Sequence, residues 1–130
     1  MKLIFCILLC IPGFCTVFCQ VSVQSAEEKI KSKNYNGALK VLDKLLEKND
    51  KDTVCYFLRG KCYFELNKIK PAYEDFVKYT EMNPGNPLSY LYMGYLLEGT
   101  QQFFDAINYF NTAIKYGKDT VLTSGYFHRG

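Results

Sequence analysis

Shifted by the interval from Ala38 to Ala72, the sequence aligns with itself in three copies without a gap. Ala26, Gly60 and Gly94 share one column, and Tyr35, Ile69 and Phe103 another. Ala38, Ala72 and Ala106 form a third, Leu42, Phe76 and Phe110 a fourth, and Leu45, Tyr79 and Ala113 a fifth. Tyr56 maps onto Tyr90, and Tyr63 onto Leu97. A period in this range, held by small and apolar residues, restricts the chain to one supersecondary unit repeated along a stack. No unit can bury its apolar stripe alone, so each borrows surface from its neighbours.

Each unit reads as two short amphipathic helices. In the second, Tyr56, Gly60, Tyr63 and Phe64 recur at spacings of three and four, the period of a helical face. Asn67-Lys68 marks the inner break, and Pro71 falls within a first helical turn, where proline is tolerated. The second helix presents Ala72, Phe76, Tyr79 and Thr80 along one stripe, and Asn83-Pro84-Gly85-Asn86-Pro87 ends it. The third unit repeats the pattern with Tyr90, Gly94 and Leu97, a break at Gly99-Thr100-Gln101-Gln102, then Ala106, Phe110 and Ala113. The expected fold is all-α, an α-solenoid of antiparallel helix pairs. The small residues are expected where paired helices cross, Gly60 against Ala72 and Gly94 against Ala106. Phe76 and Phe110 are then expected to fill the layer between units.

These columns resemble the tetratricopeptide (TPR) repeat. The second unit supplies Tyr56, Arg59-Gly60, Tyr63, Ala72, Phe76, Tyr79 and Pro84. The third supplies Tyr90, Met93-Gly94, Leu97, Ala106, Phe110 and Ala113, with Lys118 in place of the proline. The first keeps Tyr35, Ala38, Leu42 and Leu45, with Ser22 and Lys29 where large residues are usual. The resemblance covers 20–130, in units of about 20–52, 53–86 and 87–120, and implies a right-handed superhelix. Tyr126-Phe127-His128-Arg129-Gly130 echoes Tyr56-Phe57-Leu58-Arg59-Gly60, so a truncated fourth unit is expected over 121–130. The chain then reads as the front part of a longer array, or as one whose end a partner covers.

In TPR proteins the first helices line a concave groove that holds a peptide or partner helix. By that resemblance the candidate recognition residues are Phe57, Lys61, Phe64, Tyr92, Tyr95 and Glu98. Some TPR modules clamp a C-terminal carboxylate with basic and amide side chains. The matching positions here hold Val23, Glu27, Leu58, Leu88 and Tyr92, so that clamp is absent.

The stretch from Met1 to Cys19 stands apart, with 15 apolar side chains and one charge, Lys2. It reads as a secretory signal peptide cleaved before Gln20, or after Ser25. The rival reading is a membrane anchor, but about 17 apolar residues are at the lower limit for a span, and Pro12-Gly13 interrupts them. If the leader is acylated instead, Cys19 is the candidate lipid site; a membrane partner is expected only if the N-terminus is retained or acylated. Export to a periplasmic or extracellular space is the expectation.

Chemistry has little raw material in this chain. His128 is the sole histidine, and there is no Gly-x-Ser-x-Gly elbow, phosphate-binding glycine loop or zinc-spaced His-Glu pair. An enzyme, a metal and a cofactor are therefore not expected. Cys55 and Cys62 lie two turns apart on one expected helix, roughly 10 Å between Cα atoms. A disulfide needs about 4.4–6.8 Å, so both read as small buried residues. Behind the leader, 15 basic side chains face 13 acidic ones, with lysines interleaved among acids. That balance argues against nucleic acid. The sequence thus points to an exported, non-catalytic interaction module whose partner is a protein or peptide segment. The alternatives are a membrane-anchored envelope assembly or spacer component, or the N-terminal part of a longer TPR-containing protein.

Overall fold

The computed structural model describes residues 23–117, so the leader, Cys19 and the expected fourth unit lie outside the described residues. Six helices and no strand occupy the described residues. They are α1 (23–31), α2 (Tyr35–Lys48), α3 (Thr53–Glu65), α4 (Ile69–Met82), α5 (Pro87–Gly99) and α6 (Phe103–Tyr116). Short side chains start three of them. Asn34 accepts from the Gly37 N–H, Asp52 from the Cys55 N–H and Asn86 from the Leu88 N–H, each satisfying a backbone donor of the first turn. Pro87 sits in the first turn of α5, where its missing N–H is not needed.

The inner break of every unit has the same geometry. Lys33, Asn67 and Gln101 occupy one repeat column, and each has a positive φ, of 58°, 56° and 63°. Around each, two backbone bonds close the helix end. Lys33 donates to Ile30 and Asn34 to Lys29; Asn67 to Phe64 and Lys68 to Tyr63; Gln101 to Glu98 and Gln102 to Leu97. This is the Schellman arrangement, which normally carries glycine at the left-handed residue. Lysine and glutamine bear strain there of about 1–2 kcal/mol, against roughly 0.5–1 kcal/mol that glycine loses through unfolded-chain freedom. Lys33→Gly and Gln101→Gly are each expected to stabilise by about 0.5 kcal/mol in urea unfolding. Asn67→Gly should gain less, because asparagine tolerates this conformation. A destabilised Lys33→Gly would show that the turn is not held as described.

The repeat columns form the core. Ala26, Ala38, Ala72, Ala106, Leu42, Phe76, Phe110 and Ala113 are all buried. A Cβ on Gly60 would first meet the ring of Phe76, and one on Gly94 the ring of Phe110, so these rings also fill the crossing inside each unit. The missing side chain makes room for an aromatic ring of the paired helix. Phe76 also reaches the next unit as expected, stacking on Tyr92 of α5 with centroids 5.1 Å apart.

The middle helices are buried on more than the face that the period reveals. α3 turns Cys55, Leu58 and Cys62 toward Leu39, Leu42 and Leu46 of α2, all in one buried cluster. Burial pushes the Cys62 thiol up to about 11, so it is a packing group rather than a nucleophile. Arg59, also on α3, joins three helices. Its Nε and one Nη donate to the two carboxylate oxygens of Asp75 on α4 (2.8 and 2.7 Å), and the other Nη to Asp43 on α2 (2.9 Å). These bonds hold the guanidinium protonated well above its ordinary range. Burial raises the Asp75 carboxyl, and the Arg59 fork pulls it back only in part. At the far end, Phe103 is 58% and Ile107 44% exposed. The matching columns of α4, Ile69 and Tyr73, pack on the cluster that includes Met93 and Leu96 of α5.

Candidate functional site

The face made by the first helices of the units is built where α3 and α5 touch directly. Phe57, Phe64, Tyr92 and Tyr95 come together there. Ring centroids are 5.9 Å apart for Phe57–Tyr92, 5.3 Å for Phe64–Tyr92 and 6.4 Å for Phe64–Tyr95. Edge and tilted contacts of this kind suit the ring quadrupoles. Tyr92 is the hub, since its other face stacks on Phe76.

The four rings do not play one part. Phe57 leans inward on Phe76 (5.9 Å) and Tyr79 (5.0 Å), so it and Tyr92 serve the packing between units. Phe64 and Tyr95 form the outer rungs, with Tyr95 braced edge-on against Phe110 at 5.4 Å. All four are half-buried. Leu91, the counterpart of Phe57 in the third unit, is buried against Ala106, Phe110 and Ala113.

Lys61 and Glu98 are half-buried too. Glu98 raises the Tyr95 hydroxyl after burial, and Glu65 does the same to Tyr92, so two carboxylates lie beside the rings. Lys61 supplies a positive charge on α3. Sequence reasoning did not count two exposed apolar residues of the same helices among the recognition candidates. Val54 and Leu88 stand one repeat apart in the first turns of α3 and α5, and are 48% and 41% exposed. The repeat register could have found them, as two apolar residues in one column outside the core.

Among the described residues, no group of three or more His, Cys, Asp or Glu could hold a metal ion. Nor is any described helix long and apolar enough to cross a membrane. The arrangement offers apolar area, aromatic edges and a few charges, which is material for recognition.

No family model and no curated protein matches the chain. Solved structures do. The first TPR of Spaghetti (RPAP3), bound to the HSP90 peptide SRMEEVD, is similar over 85% of this chain and 86% of its own, at 16% identity and a TM-score of 0.78. The TPR2B domain of yeast Sti1, in complex with pHsp70, gives 13% identity over 85% of this chain and 92% of its own, with a TM-score of 0.80. The type III secretion translocator chaperone SycD of Yersinia enterocolitica gives 15% identity over 85% and 84%, with a TM-score of 0.77. At such identities the likeness fixes the fold: residues 23–117 are three TPR-type helix pairs in a stack.

Proposed function

We propose that this chain is an exported, non-catalytic TPR module that holds a peptide or a helix of a partner protein in the groove of its first helices. The observation that carries the reading is the half-buried ladder Phe64–Tyr92–Tyr95, which spans two units beside exposed Val54 and Leu88. Rings fixed by their neighbours present contact area at small entropic cost, which is why aromatic anchors dominate binding energy. Phe57 and Tyr92 hold the platform, Phe64 and Tyr95 meet the ligand, and Lys61 and Glu98 set its direction. One of the similar structures is bound to a peptide and another is in complex with pHsp70, which supports a protein ligand. An acidic C-terminal tail is disfavoured, since Leu58 is buried and Val23, Glu27, Leu88 and Tyr92 supply no cation.

Pull-down from the exported fraction tests the groove. Phe64→Ala and Tyr95→Ala should each weaken partner capture about tenfold, the loss of one aromatic anchor, with helical content unchanged. Undiminished capture by both variants counts against this face. The anchored alternative rests on Cys19 at the end of the apolar leader. Mass spectrometry of the mature N-terminus separates the two. Gln20 or Ala26 as first residue supports a soluble exported product, while an intact Met1 or a lipid on Cys19 supports anchoring.

A further inference from the structure

The repeat sets the second helices side by side at two equivalent places, α2 beside α4 and α4 beside α6. In the first, Arg59 rises from α3 and ties Asp43 to Asp75 across the gap. One repeat later the same three columns hold Val77, Met93 and Tyr109, which cannot make such a tie. There a hydrogen bond between the hydroxyls of Tyr73 and Tyr109, 2.7 Å apart, and the edge contact of their rings join α4 to α6. A cleft of about 880 Å³ lies between α4 and α6. That lies within the roughly 300–1,000 Å³ of ordinary ligand sites.

Its lining has a definite chemistry. Ile69, Leu96 and Leu97 supply apolar surface, and Glu74 and Asp105 bring carboxylates from α4 and α6. Both carboxylates are exposed, and among the described residues neither has an ion-pair partner. Lys70 is the one cation of the lining, so two negative charges against one positive leave it net negative. The whole chain carries a formal charge of +3, so this cleft departs in sign from the rest. The Tyr109 hydroxyl, pushed up to about 12, agrees: burial comes first, then the bond with Tyr73, and Asp105 adds to the rise.

We propose that the cleft between α4 and α6 is a second binding site, separate from the aromatic face, for a basic amphipathic segment of a partner protein. A lysine or arginine of that segment lies between Glu74 and Asp105 while its neighbouring apolar side chains cover Ile69, Leu96 and Leu97. Charge sets the specificity and the apolar floor adds area, the usual division in helix-in-groove recognition.

A fluorescein-labelled amphipathic Lys/Leu peptide, long enough for about five helical turns, is the probe. It is titrated into the full mature chain by anisotropy, with a Glu/Leu peptide of the same pattern beside it. The Lys/Leu peptide should bind with single-site saturation and weaken several-fold on raising salt from low to physiological strength. Glu74→Gln with Asp105→Asn should weaken it about tenfold. Both positions are exposed, so the double variant should keep the parent's melting temperature. Phe64→Ala, on the other face, should leave the affinity unchanged, and this separates the cleft from the proposed groove. Equal binding of the two peptides, full affinity in the carboxylate double variant, or a loss on Phe64→Ala alone would each overturn the site.

Discussion

Gly94→Ala is expected to lower the unfolding free energy by about 2 kcal/mol, while Gly60→Ala should stay within about 1 kcal/mol of the parent. In a helix interior, alanine is ordinarily the better residue by about 0.5–1 kcal/mol. Contact decides against it at Gly94, where a Cβ would lie 2.5 Å from Cε1 and 2.7 Å from Cδ1 of Phe110. That ring is buried, packed with Leu91, Ala106 and Ala113, and braced on Tyr95. It has nowhere to swing, so the helices must separate. At Gly60 the nearest Phe76 atoms are 3.0–3.2 Å away, a gap that a few tenths of an ångström relieves and the gain in helix propensity offsets. The first unit supplies the control. There the column holds Ala26, and the aromatic column holds Leu42, both buried in one cluster. Gly94→Ala with Phe110→Leu should therefore couple favourably, losing less than the two single changes summed. Thermal melting reads the effect as a fall of about 8–16 °C for Gly94→Ala, at roughly 4–8 °C per kcal/mol for this size. A Gly94→Ala protein as stable as its parent would mean that helices α5 and α6 do not pack as closely as described.

The pairing of columns explains why so much of the fold was legible. Ala38, Ala72 and Ala106 sit buried at one equivalent place in each unit, so their regular recurrence reports the unit directly. What recurs only in structure was hidden. Lys33, Asn67 and Gln101 share a left-handed backbone without sharing a residue type, and none is the glycine that would have announced it. The second buried faces of α3 and α5 were hidden for a different reason. A helix packed on two sides has no polar stripe to set off its apolar one, so Leu58, Met93 and Leu96 blur into the pattern. For the candidate site, the aromatic positions were legible as a group. The division between inward Phe57 and outward Phe64 was not, because one spacing serves both packing and display.

The Arg59 junction is where the chain departs from its own repeat, and the largest single loss after Gly94→Ala should come from breaking it. Arg59→Met removes three charge-assisted bonds and strands Asp75 in a nearly buried position. An isolated buried charge costs about 3–5 kcal/mol. Arg59 is 22% exposed, so water relieves part of that and a loss of about 2 kcal/mol in urea unfolding is expected. Asp43→Ala should cost under about 1 kcal/mol, because Asp43 is half exposed. The third unit already shows an apolar alternative, with buried Met93 in the Arg59 column and Tyr109 in the Asp75 column. Arg59→Met with Asp75→Leu should accordingly return to within about 1 kcal/mol of the parent. Acid gives an independent signature. Without the guanidinium, burial, with Asp43 and Glu74 adding to it, raises the Asp75 carboxyl further above the unfolded value. The folded variant then binds that proton more tightly than the unfolded chain, so its unfolding free energy rises as pH falls through the raised value. The deficit of Arg59→Met should shrink as pH falls through that raised value, while the double variant shows no such recovery. A deficit that ignores pH, or a double variant as weak as the single one, would place the stabilisation in the shape of the arginine rather than in its charge.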